Sequence, residues 1–163
     1  MSVSCEGDSA MTSDQRSPLA LLRHLFSQSG DQAVLNAMLQ CPHASWMFDR
    51  ETLHFLAVND AALDLYGYTR REFLLLTPLD IRPLNEIRRF LRSAVQHPCS
   101  KVDPLHQHHS TKDGRPLAVE IRSRQTTFQD REVEVVCAIP EGSTVRLEVD
   151  HLFRVCERSR KSK

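Results

Sequence analysis

The stretch that decides the fold is SWMFDRETLHFLAVNDAALDLYGYTRREFL, residues 45–74, in which the spacing of apolar residues changes from strand-like to helical. Its first part holds two short segments rich in Trp, Phe, Leu and Val, residues 45–48 and 53–58, joined by the polar tetrapeptide 49–52. Segments of this composition on either side of a polar turn are typical of a β-hairpin. The main domain is therefore predicted to begin with two antiparallel strands.

Helix-capping signals follow the second of these strands. Asn59 or Asp60 can cap a first helix, and Gly67 can end it, because glycine readily adopts the left-handed backbone that closes helices. Thr69 and Glu72 have the spacing of a capping box, in which each side chain accepts a hydrogen bond from the other residue's backbone amide. Two short consecutive helices are predicted here.

The remaining chain supplies a longer helix and three more strands. Apolar residues at helical spacing predict a helix over residues 84–96. Segments of strand-like pattern follow at 105–111, 116–128 and 131–139, with Lys112-Asp113-Gly114 as a turn. Two groups of strands separated by a helical block predict an α+β fold, a five-stranded antiparallel sheet with short helices on one face.

Short motifs run in order through residues 41–140: Trp46, Phe48-Asp49, Glu51-Thr52, Phe55-Leu56, Val58-Asn59, Ala61-Ala62, Tyr66-Gly67-Tyr68, Glu72-Phe73-Leu74, Asp80-Ile81-Arg82-Pro83 and Lys112-Asp113-Gly114. In this register the sequence resembles a PAS domain, a sensory module found in bacterial histidine kinases and cyclic-di-nucleotide enzymes. The resemblance implies helices packed over one face of the sheet, sometimes around a small ligand cavity. It also implies a stand-alone regulatory module in signal transduction, acting through contacts with a signalling protein such as a kinase or cyclase.

The cofactors of PAS-like proteins are not expected here. Haem-binding relatives use a histidine within the long helix, whereas the only histidine at that helix is the terminal His97. Light-sensing flavin relatives need an Asn-Cys-Arg motif where this chain reads Thr77-Pro78-Leu79-Asp80. No cofactor is predicted, while an unidentified apolar metabolite and a pocket filled by the protein's own side chains both stay open.

The aromatic residues of the opening stretch have two interpretations. They are either the core that joins sheet and helices, as is usual for buried aromatics, or the lining of a ligand cavity. The apolar residues that would line such a cavity are Trp46, Phe48, Leu56, Tyr66, Phe73, Ile87 and Leu91. A small-molecule receptor is therefore the alternative function.

Catalysis is not expected from the opening stretch. Its titratable residues are Asp49, Asp60, Asp64 and His54, and no nucleophile with a matching base stands among them. The chain shows no triad, phosphate loop or metal motif, so the sequence predicts no enzyme.

Three histidines cluster at the third predicted strand. The alternation of a strand places His106 and His108 on one face and His109 on the other. A metal ion needs three or four convergent ligands, so no metal site is predicted and the histidines are interpreted as polar residues of a solvated or interface face. Together they would make an interface sensitive to pH near neutrality.

The two flanks extend beyond the predicted domain. Residues 1–16 are expected to be disordered, and residues 17–40 to form two amphipathic helices that pack on the sheet or pair between two copies. A homodimer is predicted, with these interface candidates: Leu19, Leu22, Phe26, Val34 and Met38. Residues 141–163 have two interpretations, since Val145, Leu147 and Val149 alternate like a strand whereas Val145, Val149, Leu152 and Cys156 have helical spacing. A strand that changes to helix near Asp150, followed by a solvated basic tail, is favoured.

Composition excludes two classes of partner. Lys plus Arg and Asp plus Glu both number 21, so the basic field expected of a nucleic-acid-binding protein is absent. No apolar run approaches the ~20 residues of a membrane span. The five cysteines are widely spaced and odd in number, which predicts free thiols in the cytoplasm.

Overall fold

The computed structural model describes residues 30–96, 105–143 and 147–161. The elements within them, in chain order, are α1 (30–39), β1 (Ala44–Asp49), β2 (Phe55–Val58), α2 (Asp60–Tyr66), α3 (Arg70–Phe73), α4 (Leu84–Gln96), β3 (Leu105–Ser110), β4 (Pro116–Phe128), β5 (Arg131–Pro140) and α5 (Leu147–Lys161). The α+β class predicted from the sequence is confirmed.

All five strands form one antiparallel sheet in the order β2-β1-β5-β4-β3. The first hairpin and the later three-stranded meander are joined where β1 pairs with β5, for example Trp46 opposite Val136. The last strand of the domain is therefore at the centre of the sheet, beside the first.

Side chains alternate across the sheet, so that each of its faces has an apolar core. Along β1, Trp46 and Phe48 lie in the inner core, which α2, α3 and α4 cover. Met47, between them, lies in the outer core, which α1 and α5 cover. This alternation follows from the two-residue period of a strand.

An irregularity in β2 places Leu56 in the outer core. Met47 pairs with Ala57 and Phe48 with Phe55, so Leu56 has no opposite residue in β1. Such a bulge puts two consecutive residues on the same face, and Leu56 and Ala57 both pack against the outer core. The prediction that Leu56 lines an inner pocket is therefore wrong.

The predicted helix caps are confirmed. Asn59 caps α2, accepting a hydrogen bond from the Ala62 amide, and Gly67 ends that helix with a φ of 79°. Thr69 and Glu72 form the capping box of α3. These two helix starts set the positions of Tyr66 and Phe73 in the inner core.

The helix α1 lies where the sequence predicts the second flanking helix. Its residues Val34 and Met38 are fully buried in the outer core. The apolar face proposed for a dimer is thus covered by the chain's own sheet and by α5, which corrects the assignment of these two residues to a dimer interface. The predicted disordered segment and first flanking helix, with Leu19, Leu22 and Phe26, lie outside the described residues.

The C-terminal strand prediction is wrong, because residues 147–149 are already helical. The segment follows its helical spacing and not its strand-like alternation, because a helix lets α5 pack one apolar stripe on the outer face of the sheet. The buried residues of that stripe are Val149, Leu152, Phe153 and Cys156. Residues 158–161, predicted as a solvated tail, belong to this helix.

No helix within the described residues has both the length and the apolar character needed to cross a bilayer.

Candidate functional site

The inner core is built around aromatic rings. Trp46 meets Phe55 and Tyr66 edge-on, with ring centroids 6.2 and 5.6 Å apart. Phe73, carried by α3, lies 4.7 Å from the ring of Phe55 and 6.0 Å from that of Tyr66. Phe55 and Phe73 are tilted by 42°, whereas the other three pairs are edge-to-face, and such contacts fix ring orientation as well as bury apolar surface.

Four polar side chains are buried beside these rings and form one connected set, the buried polar group: Tyr66, Arg82, Gln107 and His109. The Tyr66 hydroxyl is 2.6 Å from His109 Nδ1, and His109 Nε2 is 3.3 Å from Gln107 Oε1. Arg82 Nη2 donates to the same Oε1 at 3.1 Å. The buried polar group thus extends from α2 across β3 to the segment before α4.

The donor and the acceptor of each hydrogen bond in this group can be assigned, starting from Arg82. A guanidinium only donates, so the Gln107 atom that it contacts must be the acceptor oxygen. The neighbouring Nε2 of His109 then carries the ring hydrogen, and Nδ1 accepts the hydrogen bond of the Tyr66 hydroxyl. When its ring is neutral, His109 is therefore the Nε2–H tautomer.

Burial governs the charges of the group. It lowers the pKa of His109 well below its ordinary value, and the nearby Arg82 lowers it further. It raises the pKa of the Tyr66 hydroxyl. Burial also lowers the pKa of Arg82, to about 10, which leaves the guanidinium charged at neutral pH. The buried polar group therefore carries one positive charge.

Arg82 is tied into the structure by more than Gln107. Its Nη1 donates to the carbonyl oxygen of Pro78, and its guanidinium lies 4.1 Å above the centroid of the Phe90 ring. Its Nε has no hydrogen-bond partner within the described residues. Arg82 thus holds the connector between α3 and α4 against the sheet and keeps one donor unused.

The structure brings together only part of the predicted pocket lining. Four of the residues lie in the inner core: Trp46, Phe48, Tyr66 and Phe73. Ile87 is half-buried, and Leu91 is 40% exposed on α4, so Leu91 faces away from the core. With Leu56 on the opposite face of the sheet, the candidate lining is shorter and more aromatic than predicted.

Sequence reasoning misses two polar members of the site, Arg82 and Gln107. In the sequence Arg82 stands out only as part of the Asp-Ile-Arg-Pro motif, and Gln107 belongs to no motif. The alternation of β3 did place His109 opposite His106 and His108, as the structure has it, and that was the available signal. The interpretation of all three as residues of a solvated face is wrong for His109, which is fully buried.

The other two histidines pair with carboxylates at the surface. His106 Nδ1 is 3.2 Å from Glu141 Oε1, and His108 Nδ1 is 3.6 Å from Glu86 Oε1. Across the described residues, no group of three or more His, Cys, Asp or Glu side chains is placed to hold a metal ion.

Asp49, one of the titratable residues of the opening stretch, holds the turn between β1 and β2. Asp49 Oδ1 accepts from the backbone amides of Glu51 at 2.8 Å and Thr52 at 3.0 Å. These amides, Thr52 first, lower the pKa of Asp49, and Arg131 adds to the effect. Asp49 is therefore committed to holding the hairpin.

Asn59 joins the inner layer to the outer layer. Its Oδ1 accepts from the Ala62 amide at 3.0 Å and from the Ser45 amide at 2.9 Å. Its Nδ2 donates to the carbonyls of Cys41 at 2.9 Å and His43 at 2.8 Å, just beyond α1. One buried side chain therefore bonds the start of α2 to the segment that leaves α1.

The described cysteines are free thiols, as predicted: Cys41, Cys137 and Cys156. All three are buried in the outer core. Cys5 and Cys99 lie outside the described residues.

No protein-family model matches the chain, and no curated protein matches it. Solved structures do. The PAS domain of a Desulfitobacterium hafniense protein is similar at 17% identity with a TM-score of 0.57, over 64% of this chain and 98% of that one. A PAS domain of a two-component sensor histidine kinase is similar at 18% identity with a TM-score of 0.53, over 71% and 99%.

A LOV protein of Rhodobacter sphaeroides is also similar, at 11% identity and a TM-score of 0.58, over 83% of this chain and 94% of that one. At such identities the likeness concerns the fold. The chain has a PAS-like fold, as the sequence resemblance implies.

Proposed function

We propose that this PAS-like chain is a sensory or regulatory module without catalytic activity, which passes the state of its inner core to the helices on the outer face of its sheet. The sensor histidine kinase among its structural neighbours supports a role in signal transduction. The free thiols of the described part support work in a reducing compartment such as the cytoplasm.

The observation that carries the proposal is the double attachment of Asn59. A change in the inner core moves α2, and the Asn59 amide is bonded at once to the start of α2 and to the carbonyls that follow α1. A signal needs a structural element that both sites bias, and this link supplies a direct one. The output is thus proposed to be read at α1 and, because α5 packs in the same outer core, at α5.

The proposed readout is a contact with another protein chain, either a signalling partner such as a kinase or cyclase or a second copy. Since Val34 and Met38 are already covered, a homodimer would use the preceding segment with Leu19, Leu22 and Phe26. Light scattering coupled to gel filtration should give a dimer mass for the full chain and a monomer mass for Leu22→Ser/Phe26→Ser. A monomeric full chain would remove the homodimer from the proposal.

Hydrogen exchange measured by mass spectrometry tests the coupling itself. Phe73→Ala opens a cavity in the inner core, and exchange in residues 30–39 should rise because the disturbance reaches α1 through Asn59. Leu75→Ala, at a residue 75% exposed, is the matched control and should leave those residues unchanged.

The variant Asn59→Asp keeps the acceptor oxygen that caps α2 and removes the amide that holds the segment after α1. In this background Phe73→Ala should produce no further rise in the exchange of residues 30–39. Unchanged exchange there in Phe73→Ala alone, with raised exchange in α2 and α3, would contradict the proposed route.

A further inference from the structure

We propose that Arg82, with Tyr66, Gln107 and His109 beside it, anchors a small-molecule carboxylate bound within the inner core, an inference that rests on the sensory function proposed above.

The first step is the charge of Arg82. The residue is only 7% exposed, and its guanidinium belongs to none of the ion pairs of the described residues, although the carboxylates of Glu134 and Glu86 attract it from farther away. Glu86 also lies 3.9 Å from Arg89 and 3.6 Å from His108, so its charge is shared among three basic side chains. A buried charge is unfavourable unless an anion or a full set of hydrogen bonds compensates it. The two distant carboxylates compensate Arg82 only in part, because loss of hydration remains the largest influence on it, so this place in the core favours a closer negative group.

The second step is the unused donor. The Nε of Arg82 is buried and without a partner within the described residues, while Nη2 on the same edge of the guanidinium donates to Gln107. A carboxylate accepts two parallel N–H groups from one guanidinium edge. An incoming carboxylate would thus satisfy Nε and share the donor that now serves Gln107.

The third step is the character of the surroundings, which defines the rest of the ligand. Tyr66 and His109 are uncharged here, so Arg82 supplies the only charge of the buried polar group. The adjoining surface is aromatic, with Phe90 under the guanidinium and Trp46 6.1 Å from the ring of His109. The ligand class that fits is a monocarboxylate with an aromatic or short aliphatic body, more polar than the apolar metabolite that the sequence suggests.

Such a ligand would also act on the protein. Arg82 holds the connector before α4 through the carbonyl of Pro78, and the Ile81 carbonyl of the same connector accepts from the Ser110 amide. A carboxylate that draws the guanidinium to itself weakens the first of these ties. Binding would therefore loosen or shift the connector between α3 and α4, which is a change in the inner layer.

Isothermal titration calorimetry on the full chain tests the site with two matched pairs of probes, sodium benzoate against benzamide and sodium octanoate against octanamide, at constant ionic strength set with sodium chloride. Each pair keeps the body and changes only the charge. At least one carboxylate should bind saturably and about tenfold or more tightly than its amide, since hydrogen bonds to charged groups are the strong ones.

The variant Arg82→Gln should remove this preference, and Arg115→Gln, at an exposed arginine paired with Asp113, should keep it. If circular dichroism shows that Arg82→Gln is unfolded, Arg82→Lys takes its place and should weaken the preference, because lysine offers no fork of two donors.

Three outcomes would overturn the carboxylate site. They are equal binding of acid and amide in both pairs, no binding by any probe, and a preference for the carboxylate that survives at full strength in the folded Arg82 variant. The exchange experiment on Asn59 needs no ligand. Failure of the titrations with success of that experiment therefore refutes the carboxylate site alone, and the reverse outcome refutes the proposed route of signalling.

Discussion

Acidification should destabilise this protein through His109. The ring is fully buried between Tyr66, Gln107 and Trp46, with Arg82 and His108 nearby, and burial keeps its pKa well below the ordinary value of 6.5. The unfolded chain has no such restraint and takes up a proton below pH 6.5. Because the unfolded state then binds more protons, the free energy of unfolding falls as the pH falls.

The size of the effect follows from linkage. For a histidine that titrates at pH 6.5 when unfolded and stays neutral when folded, lowering the pH from 7.5 to 5.0 costs about 2 kcal/mol. Urea unfolding followed by circular dichroism across that range measures the loss. His109→Gln, which has no proton to bind, should lower the stability at pH 7.5 but reduce the pH-dependent loss by about 2 kcal/mol.

The control is His106→Gln, at an exposed histidine on the other face of β3, which leaves the buried ring of His109 in place and should lose more stability on acidification than His109→Gln does. An equal pH-dependent loss in His109→Gln and wild type would refute the reasoning. So would a nuclear magnetic resonance titration in which the ring of His109 gains its proton near pH 6.5 in the folded protein.

Three other outcomes are expected. In urea unfolding, Met38→Ala should destabilise the chain by about 2–4 kcal/mol because Met38 is fully buried, and Leu39→Ala, at an exposed residue, by under about 0.5 kcal/mol. Both losses should be the same at any protein concentration. A loss that depends on concentration would instead place Met38 between two copies. Gly67→Ala should cost about 1 kcal/mol or more in the same assay, because alanine is strained at a positive φ; an unchanged midpoint would contradict the left-handed cap. Iodoacetamide at pH 7.5 should modify Cys41 before Cys156. A hydrogen bond from the neighbouring thiol of Cys137 lowers the pKa of Cys41 to about 6, whereas burial raises the pKa of Cys156 to about 12. Peptide mass mapping that finds Cys156 modified first would overturn this order.

Local chemistry explains what could be predicted from the sequence. The caps at Asn59, Gly67 and Thr69 depend on bonds within three or four residues, so the sequence alone places the helix starts. The alternation of β3 likewise gives the correct faces for its histidines. These features need no knowledge of what lies across the sheet.

The errors come from interactions between distant parts of the chain. The bulge that turns Leu56 outward is a mismatch between two strands, and neither strand shows it alone. The segment 147–149 can satisfy a strand pattern or a helical one, and the outer face of the sheet decides in favour of the helix. Arg82 and His109 are far apart in the sequence, and only the fold brings both within hydrogen-bonding distance of the Gln107 side chain.

On the outer face, the first residue of α1 meets the last turn of α5. Gly30 lies so close to Ser159 that a Cβ on Gly30 would come within 3.1 Å of the serine Oγ. The start of α1 and the end of α5 are therefore neighbours. A side chain larger than that of glycine at residue 30 would have to displace Ser159, so this contact limits how far the two helix ends can move relative to each other.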